Sequence, residues 1–191
     1  VQLFSVTSKT TIDATWWMEP VFNGRYPEDG LKLFGADGPP VKDGDMEIIQ
    51  QPLDFMGYNL YQSTKVRAGV NGGTEVLKYP SDYPRTNFNW PITPESLYWT
   101  SKFLWERYQK PIVITENGLA CNDWLSLDGK VHDSDRIDFL KRYLLGLKEA
   151  IADGVGVMGY FQWSIMDNFE WAEGYAKRFV LIHVDFETQK R

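Results

Sequence analysis

Pro111-Ile112-Val113-Ile114-Thr115-Glu116-Asn117 is a run of β-branched residues that turns polar at its end. A strand apolar along its whole length suits a parallel sheet covered on both faces. Leu53-Asp54-Phe55-Met56-Gly57-Tyr58-Asn59 and Val155-Gly156-Val157-Met158-Gly159-Tyr160-Phe161-Gln162-Trp163 read the same way. Helical patterns separate the three. Thr93-Pro94-Glu95 has the form of an N-cap, a proline at the first helical position and an early acid. Leu97, Leu104 and Tyr108 then mark one face. Ile137, Leu140, Leu144, Leu147 and Ile151 recur at alternating spacings of three and four. Asp133 or Ser134 offers a cap for this helix, and Gly154 stands where a C′ glycine is expected. The alternation of strand and helix predicts βα units and the α/β fold class.

Three strands are too few to close a barrel. Segments 21–51 and 65–91 are rich in Gly, Pro, Asn and Asp and read as long loops. Loops of that length are uncommon in compact domains unless they are functional. Polar strand ends followed by long loops are the catalytic face of a (β/α)8 TIM barrel, so the expected architecture is an incomplete barrel. No repeat, low-complexity tract or linker divides residues 1–191.

Composition narrows the function. The 191 residues are 43% hydrophobic and 24% charged, which is globular. A net charge of −6 without any Lys/Arg cluster repels phosphate backbones and argues against a nucleic-acid partner. No apolar run is long enough for a membrane span. The only cysteine, Cys121, cannot form an internal disulfide, which fits a reducing, cytoplasmic compartment. With His132 and His183 it leaves little material for a transition-metal site. Eight Trp and ten Tyr supply flat apolar faces with polar handles, a surface suited to sugar rings and equally to a large aromatic core.

Glu116 is the candidate for chemistry. A carboxylate at the end of a buried strand has an apolar wall behind it and an open cleft in front, which suits a nucleophile or general base. A glutamate that caps the next helix or pairs with an arginine produces the same local pattern.

Val113-Ile114-Thr115-Glu116-Asn117-Gly118 resembles the nucleophile motif of the family 1 glycoside hydrolases. Trp163-Ser164-Ile165-Met166-Asp167-Asn168-Phe169-Glu170-Trp171, then Gly174-Tyr175 and Arg178-Phe179, resembles a second family signature. Asp54-Phe55-Met56-Gly57-Tyr58-Asn59-Leu60-Tyr61 resembles the family's sixth strand. The three stand in the family order, and the resemblance covers essentially the whole chain, somewhat less than half of a complete member. It implies roughly strands six to eight of a single catalytic barrel, with the N-terminal half and the last helix lying outside this sequence.

What the resemblance implies is a retaining β-glucosidase without metal or organic cofactor. Glu116 is implied to be the nucleophile that forms a covalent glycosyl-enzyme, and Tyr61 to hydrogen-bond it, with Asn59 nearby. Trp163 is implied to lie beneath the glycone, and Glu170 and Trp171 to hydrogen-bond its outer hydroxyls. Trp90 matches the tryptophan of the aglycone site and Phe179 an aromatic near the glycone pocket. Phosphoglycosidases of the family replace the acid at Glu170, so an unphosphorylated glucose-, fucose- or galactose-type β-glycoside or oligosaccharide is the expected substrate.

The family's acid/base stands in an Asn-Glu-Pro motif of the N-terminal half. Met18-Glu19-Pro20 looks like that motif but is followed by residues resembling a later segment, so Glu19 is read as a surface glutamate. The complementary half is therefore the expected partner. A non-catalytic sugar-binding half-barrel is the alternative, as is a thioglucosidase with glutamine in place of the acid. Leu60 and Val180 depart from the family pattern. Leu60 is expected to point away from the site by strand alternation, and Val180 to strain the backbone if its position needs φ > 0.

Overall fold

The computed structural model describes residues 14–70 and 74–191, which fall into two compact units. The first contains the described residues up to Asp54 together with Arg67–Glu75. Segment 21–51 is not a loop here. Helix α1 (Ala14–Asn23) is followed by α2 (Glu28–Phe34), a 3-10 turn (Gly35–Asp37) and α3 (Asp45–Ile49). The Pro and Gly residues that suggested a loop stand mostly at the helix ends: Pro27 before α2, Gly35 after it, Gly44 before α3. Trp16 is buried and stacks on Phe34 at 4.6 Å between ring centroids, with Tyr26 at 4.7 Å.

Glu19 corrects the sequence reading. It lies inside α1 and is only 3% exposed, so it is not a surface residue. Both carboxylate oxygens accept from Asn23 Nδ2 at 3.1 Å, the kind of pairing a buried polar group requires.

The second unit comprises Phe55–Val66 and Val76–Arg191. Strand β1 (Met56–Asn59) opens it. Next along the chain, and mostly within the first unit, comes a two-stranded sheet of β2 (Val66–Ala68) and β3 (Thr74–Val76), with Arg67 and Glu75 paired by two hydrogen bonds of 2.8 and 2.9 Å. Segment 65–91 thus carries a ladder where a loop was expected, and residues 71–73 of it lie outside the described residues. Next come α4 (Glu95–Tyr108), β4 (Ile112–Asn117), α5 (Ser134–Ala152) and β5 (Val157–Gln162).

Strands β1, β4 and β5 form a parallel sheet in that order, as the βα alternation predicts. Met56 faces Ile112, Ile112 faces Val157, and Ile114 lies between Tyr58 and Tyr160. At the carboxyl ends Asn59 meets Glu116, and Asn117 meets Gln162. The three polar strand ends therefore lie side by side.

Both long helices cover this sheet. Leu97, Ile112, Ile114, Leu119, Phe139, Tyr143, Leu147, Ala150 and Val155 make one buried cluster. Full burial of each large side chain contributes about 1.5–3 kcal/mol. The Phe139 and Tyr143 rings stack at 4.0 Å. Leu60 packs against the cluster, in keeping with strand alternation.

The helix ends differ from the sequence reading at both N-caps. Gly154 has φ +92°, as a C′ position demands. Thr93, however, does not cap α4 through its side chain: Oγ1 accepts from the Ser63 amide at 2.9 Å instead. Asp133 precedes α5 without capping it, because its carboxylate is taken by Arg136.

Candidate active site

The site grows from the end of β4. Ile112 and Ile114 are fully buried in the core, while Thr115 and Glu116 emerge at the carboxyl edge. Leu60 N–H donates to the Glu116 carbonyl at 2.9 Å, which draws the chain after β1 against β4. Tyr61 follows, and its hydroxyl donates to Glu116 Oε2 at 2.7 Å. Asn59 lies on the same edge, where its Oδ1 accepts from Thr115 Oγ1 at 2.6 Å. Burial first, then the Glu116 carboxylate it is bonded to, raises the Tyr61 hydroxyl well above the usual phenol range. Tyr61 thus stays a hydrogen-bond donor at neutral pH.

Asn117 turns the chain toward the next strand. Its carbonyl accepts from the Trp163 amide at 2.9 Å. Gly118 has to be glycine, since a Cβ there would fall 2.0 Å from the Trp163 carbonyl oxygen. The Trp163–Ser164 peptide is cis. Ser164 N–H then donates to the Phe179 carbonyl at 3.1 Å, bringing residues 178–180 alongside.

The sequence-derived candidates converge here. Trp163 Nε1 donates to Glu170 Oε2 at 3.3 Å. The Glu170 charge adds to that of Glu116 in raising the Tyr61 hydroxyl. Trp90, Phe179 and Tyr61 form an aromatic wall, with centroids 5.4 Å apart for Tyr61–Trp90 and 5.8 Å for Tyr61–Phe179. Phe88 stacks on Trp90 at 4.6 Å. Phe179 is buried at the base of the wall, whereas Trp171 is 81% exposed and has φ +45°. Val180 is buried and is not among the residues with positive φ, so the feared strain is absent there.

Residues missed by sequence reading support the site from beneath. Asn117 is fully buried and accepts from the Tyr160 hydroxyl at 2.7 Å. The Tyr143 hydroxyl takes the Thr93 amide at 2.8 Å and donates to the Tyr61 carbonyl at 3.3 Å. Arg136, 1% exposed, binds Asp123 at 2.9 Å and Asp133, holding the loop that follows Gly118. Cys121, Asp123 and Asp133 come within 4.8 Å of one another. The Arg136 guanidinium already neutralises these acids, and burial pushes the Cys121 thiol up to about 12, so the trio does not suit a cation.

A carboxylate and an aromatic wall at the carboxyl edge of parallel strands are what part of the loop face of a (β/α) barrel presents. Residues 2–191 match the model for Glycosyl hydrolase family 1, and the chain belongs to that family. Beta-glucosidase A of Thermotoga maritima is 43% identical over 176 residues, covering 92% of this chain and 40% of that one. A bifunctional beta-D-glucosidase/beta-D-fucosidase of Bifidobacterium breve is 40% identical, covering 92% and 42%. Among solved structures, the beta-glucosidase from Thermotoga maritima in complex with noeuromycin superimposes with a TM-score of 0.81 at 42% identity, covering 92% of this chain and 40% of that one. The chain therefore spans less than half the length of the curated relatives it matches, and its fold is part of their barrel.

Proposed function

We propose that this chain is the nucleophile-bearing portion, strands six to eight, of a retaining β-glucosidase. The 2.7 Å hydrogen bond from Tyr61 to Glu116 carries the reading, because it aims a carboxylate into a cleft walled by Trp163, Glu170 and Trp90. Glu116 attacks the anomeric carbon through Oε1, which has no hydrogen-bond partner among the described residues. The bond from that carbon to the aglycone oxygen breaks as the bond to Oε1 forms. A carboxylic acid from the complementary N-terminal half protonates the departing oxygen. The same group, now a carboxylate, takes a proton from water, which attacks the anomeric carbon and frees Glu116. Two inversions give net retention.

Trp163 supports the glycone face, and Glu170 with Trp171 accepts from and donates to its outer hydroxyls as charge-assisted contacts. Asn59 lies at the nucleophile edge, Phe179 closes the glycone side, and Trp90 faces the aglycone. A negative charge at Glu170 disfavours a phosphorylated glycone.

The test is the configuration of the first sugar released by a complete barrel, this chain joined to the N-terminal portion of the family fold. Proton NMR during hydrolysis of a nitrophenyl β-glucoside is expected to show β-glucose before mutarotation. Initial release of α-glucose overturns the double-displacement reading. Binding without turnover favours the sugar-binding alternative.

A further inference from the structure

Asn117 follows the proposed nucleophile, yet its carboxamide is fully buried and bonded to Leu60 and Tyr160, which both pack against the core cluster under the helices. Its Nδ2 donates to the Leu60 carbonyl at 2.7 Å and its Oδ1 accepts from the Tyr160 hydroxyl at 2.7 Å. Leu60 belongs to the segment that continues from β1 to Tyr61, and Tyr160 lies on β5. One side chain of β4 thus ties the two flanking strands together at the level of Glu116. The backbone adds two bonds at that level: the Leu60 amide on the Glu116 carbonyl and the Trp163 amide on the Asn117 carbonyl. An amide is the group that fits, because the Leu60 side needs a donor and the Tyr160 side an acceptor.

We infer that Asn117, with Tyr160, is a positioning residue that fixes Tyr61 against Glu116 and Trp163 beside it. The inference rests on the reading of Glu116 as nucleophile. Three successive peptides around Leu60 and Tyr61 are held: the Leu60 amide by the Glu116 carbonyl, the Leu60 carbonyl by Asn117 and the Tyr61 carbonyl by Tyr143. Without the Asn117 bond, the part-buried Leu60 carbonyl lacks its donor and the Leu60–Tyr61 peptide is freer to rotate. The Tyr61 hydroxyl sits at the far end of that peptide's side chain, so a small rotation moves it by a large part of an ångström. Burial among apolar side chains keeps Tyr160 protonated, and hence a donor, well above the usual phenol range.

Two variants test this in a complete barrel carrying the sequence: Asn117→Asp, which keeps the shape and loses the donor, and Tyr160→Phe, which keeps the ring in the core and loses the hydroxyl. The probe is 2-deoxy-2-fluoro-β-glucosyl fluoride, followed by mass spectrometry over time. The wild type is expected to take one label per chain on Glu116. Both variants are expected to reach the same final stoichiometry, with the inactivation rate constant lowered about 10- to 100-fold and the reagent's dissociation constant little changed. Lower stoichiometry with an unchanged rate constant in the labelled fraction marks a merely structural residue and overturns the inference alone. A wild-type label on any residue other than Glu116 overturns the inference and the proposed nucleophile together.

Discussion

Glu116 lies on β4 and Tyr61 two residues past the end of β1, and they meet at 2.7 Å because the Leu60 amide is bonded to the Glu116 carbonyl. The phenol removes one orientation after another from the carboxylate until a single oxygen is left for the cleft. Replacing Tyr61 by Phe is expected to lower kcat about 10- to 100-fold without lowering the melting temperature by more than a few degrees. Steady-state kinetics beside a thermal melt checks this, and equal losses in both would refute a positioning role. Glu170 accepts from Trp163 Nε1 at 3.3 Å, and the proposed reading gives it two sugar hydroxyls as well. Glu170→Gln is expected to lose about 1.5–3 kcal/mol of binding to the glycone, the size of a charged hydrogen bond, read as a fall in kcat/KM on β-glucosides. A rise in activity on a 6-phosphoglucoside would follow from the lost charge.

At the scale of elements, α5 is the keystone of the second unit. Phe139 and Tyr143 lie fully buried against β4, and Tyr143 reaches on to the Tyr61 carbonyl. Phe139→Ala is expected to cost about 3–5 kcal/mol of stability, measured by denaturant unfolding of the complete barrel. Arg136→Ala is expected to cost a similar amount, about 3–5 kcal/mol, because it leaves the buried Asp123 carboxylate unpaired. Helix α5 and strand β4 were legible because a three-four apolar spacing and a β-branched run each admit one backbone period. Helices α1 to α3 were not legible: they are short, and Pro20 and Gly30 lie inside them. Glu19 was read as exposed because nothing in Met18-Glu19-Pro20 announces which face of a helix turns inward. Thr93 has the sequence of a cap, but the Ser63 amide thirty residues away competes for its oxygen and wins. The site residues were legible through motifs, whereas the buried supports, Tyr143 and Tyr160, look like any core tyrosine until the fold gives their hydroxyls partners.

At the scale of the molecule, the parallel sheet has two edges. Strands β1 and β5 each pair on one side only among the described residues, and Met158 and Phe161 on β5 are 66% and 62% exposed. Such edges invite pairing. The chain alone is expected to sediment as a mixture of associated species, and the complete barrel as a discrete particle with a sharp melt. A cooperative melt of the isolated chain as a monomer would show that the edges need no cover. Burial also pushes Tyr58, Tyr143 and Cys121 up to about 12. Unfolded thiols and phenols ionise near about 8.5 and 10, so the native state keeps protons that the unfolded chain releases. Their contribution is complete below about pH 8.5 and is lost as the pH rises toward about 12. Melting temperature is expected to fall over that window, and Cys121→Ala to remove the earliest part of the fall.

The most direct measurement is the mapping of a trapped intermediate. A complete barrel containing this sequence is incubated with 2-deoxy-2-fluoro-β-glucosyl fluoride, digested and sequenced by mass spectrometry. One fluoroglucosyl group is expected, esterified to Glu116 in the peptide around Ile112-Val113-Ile114-Thr115-Glu116-Asn117. A barrel that hydrolyses β-glucosides yet carries the label on a different carboxylate, or accumulates none, contradicts Glu116 as the nucleophile.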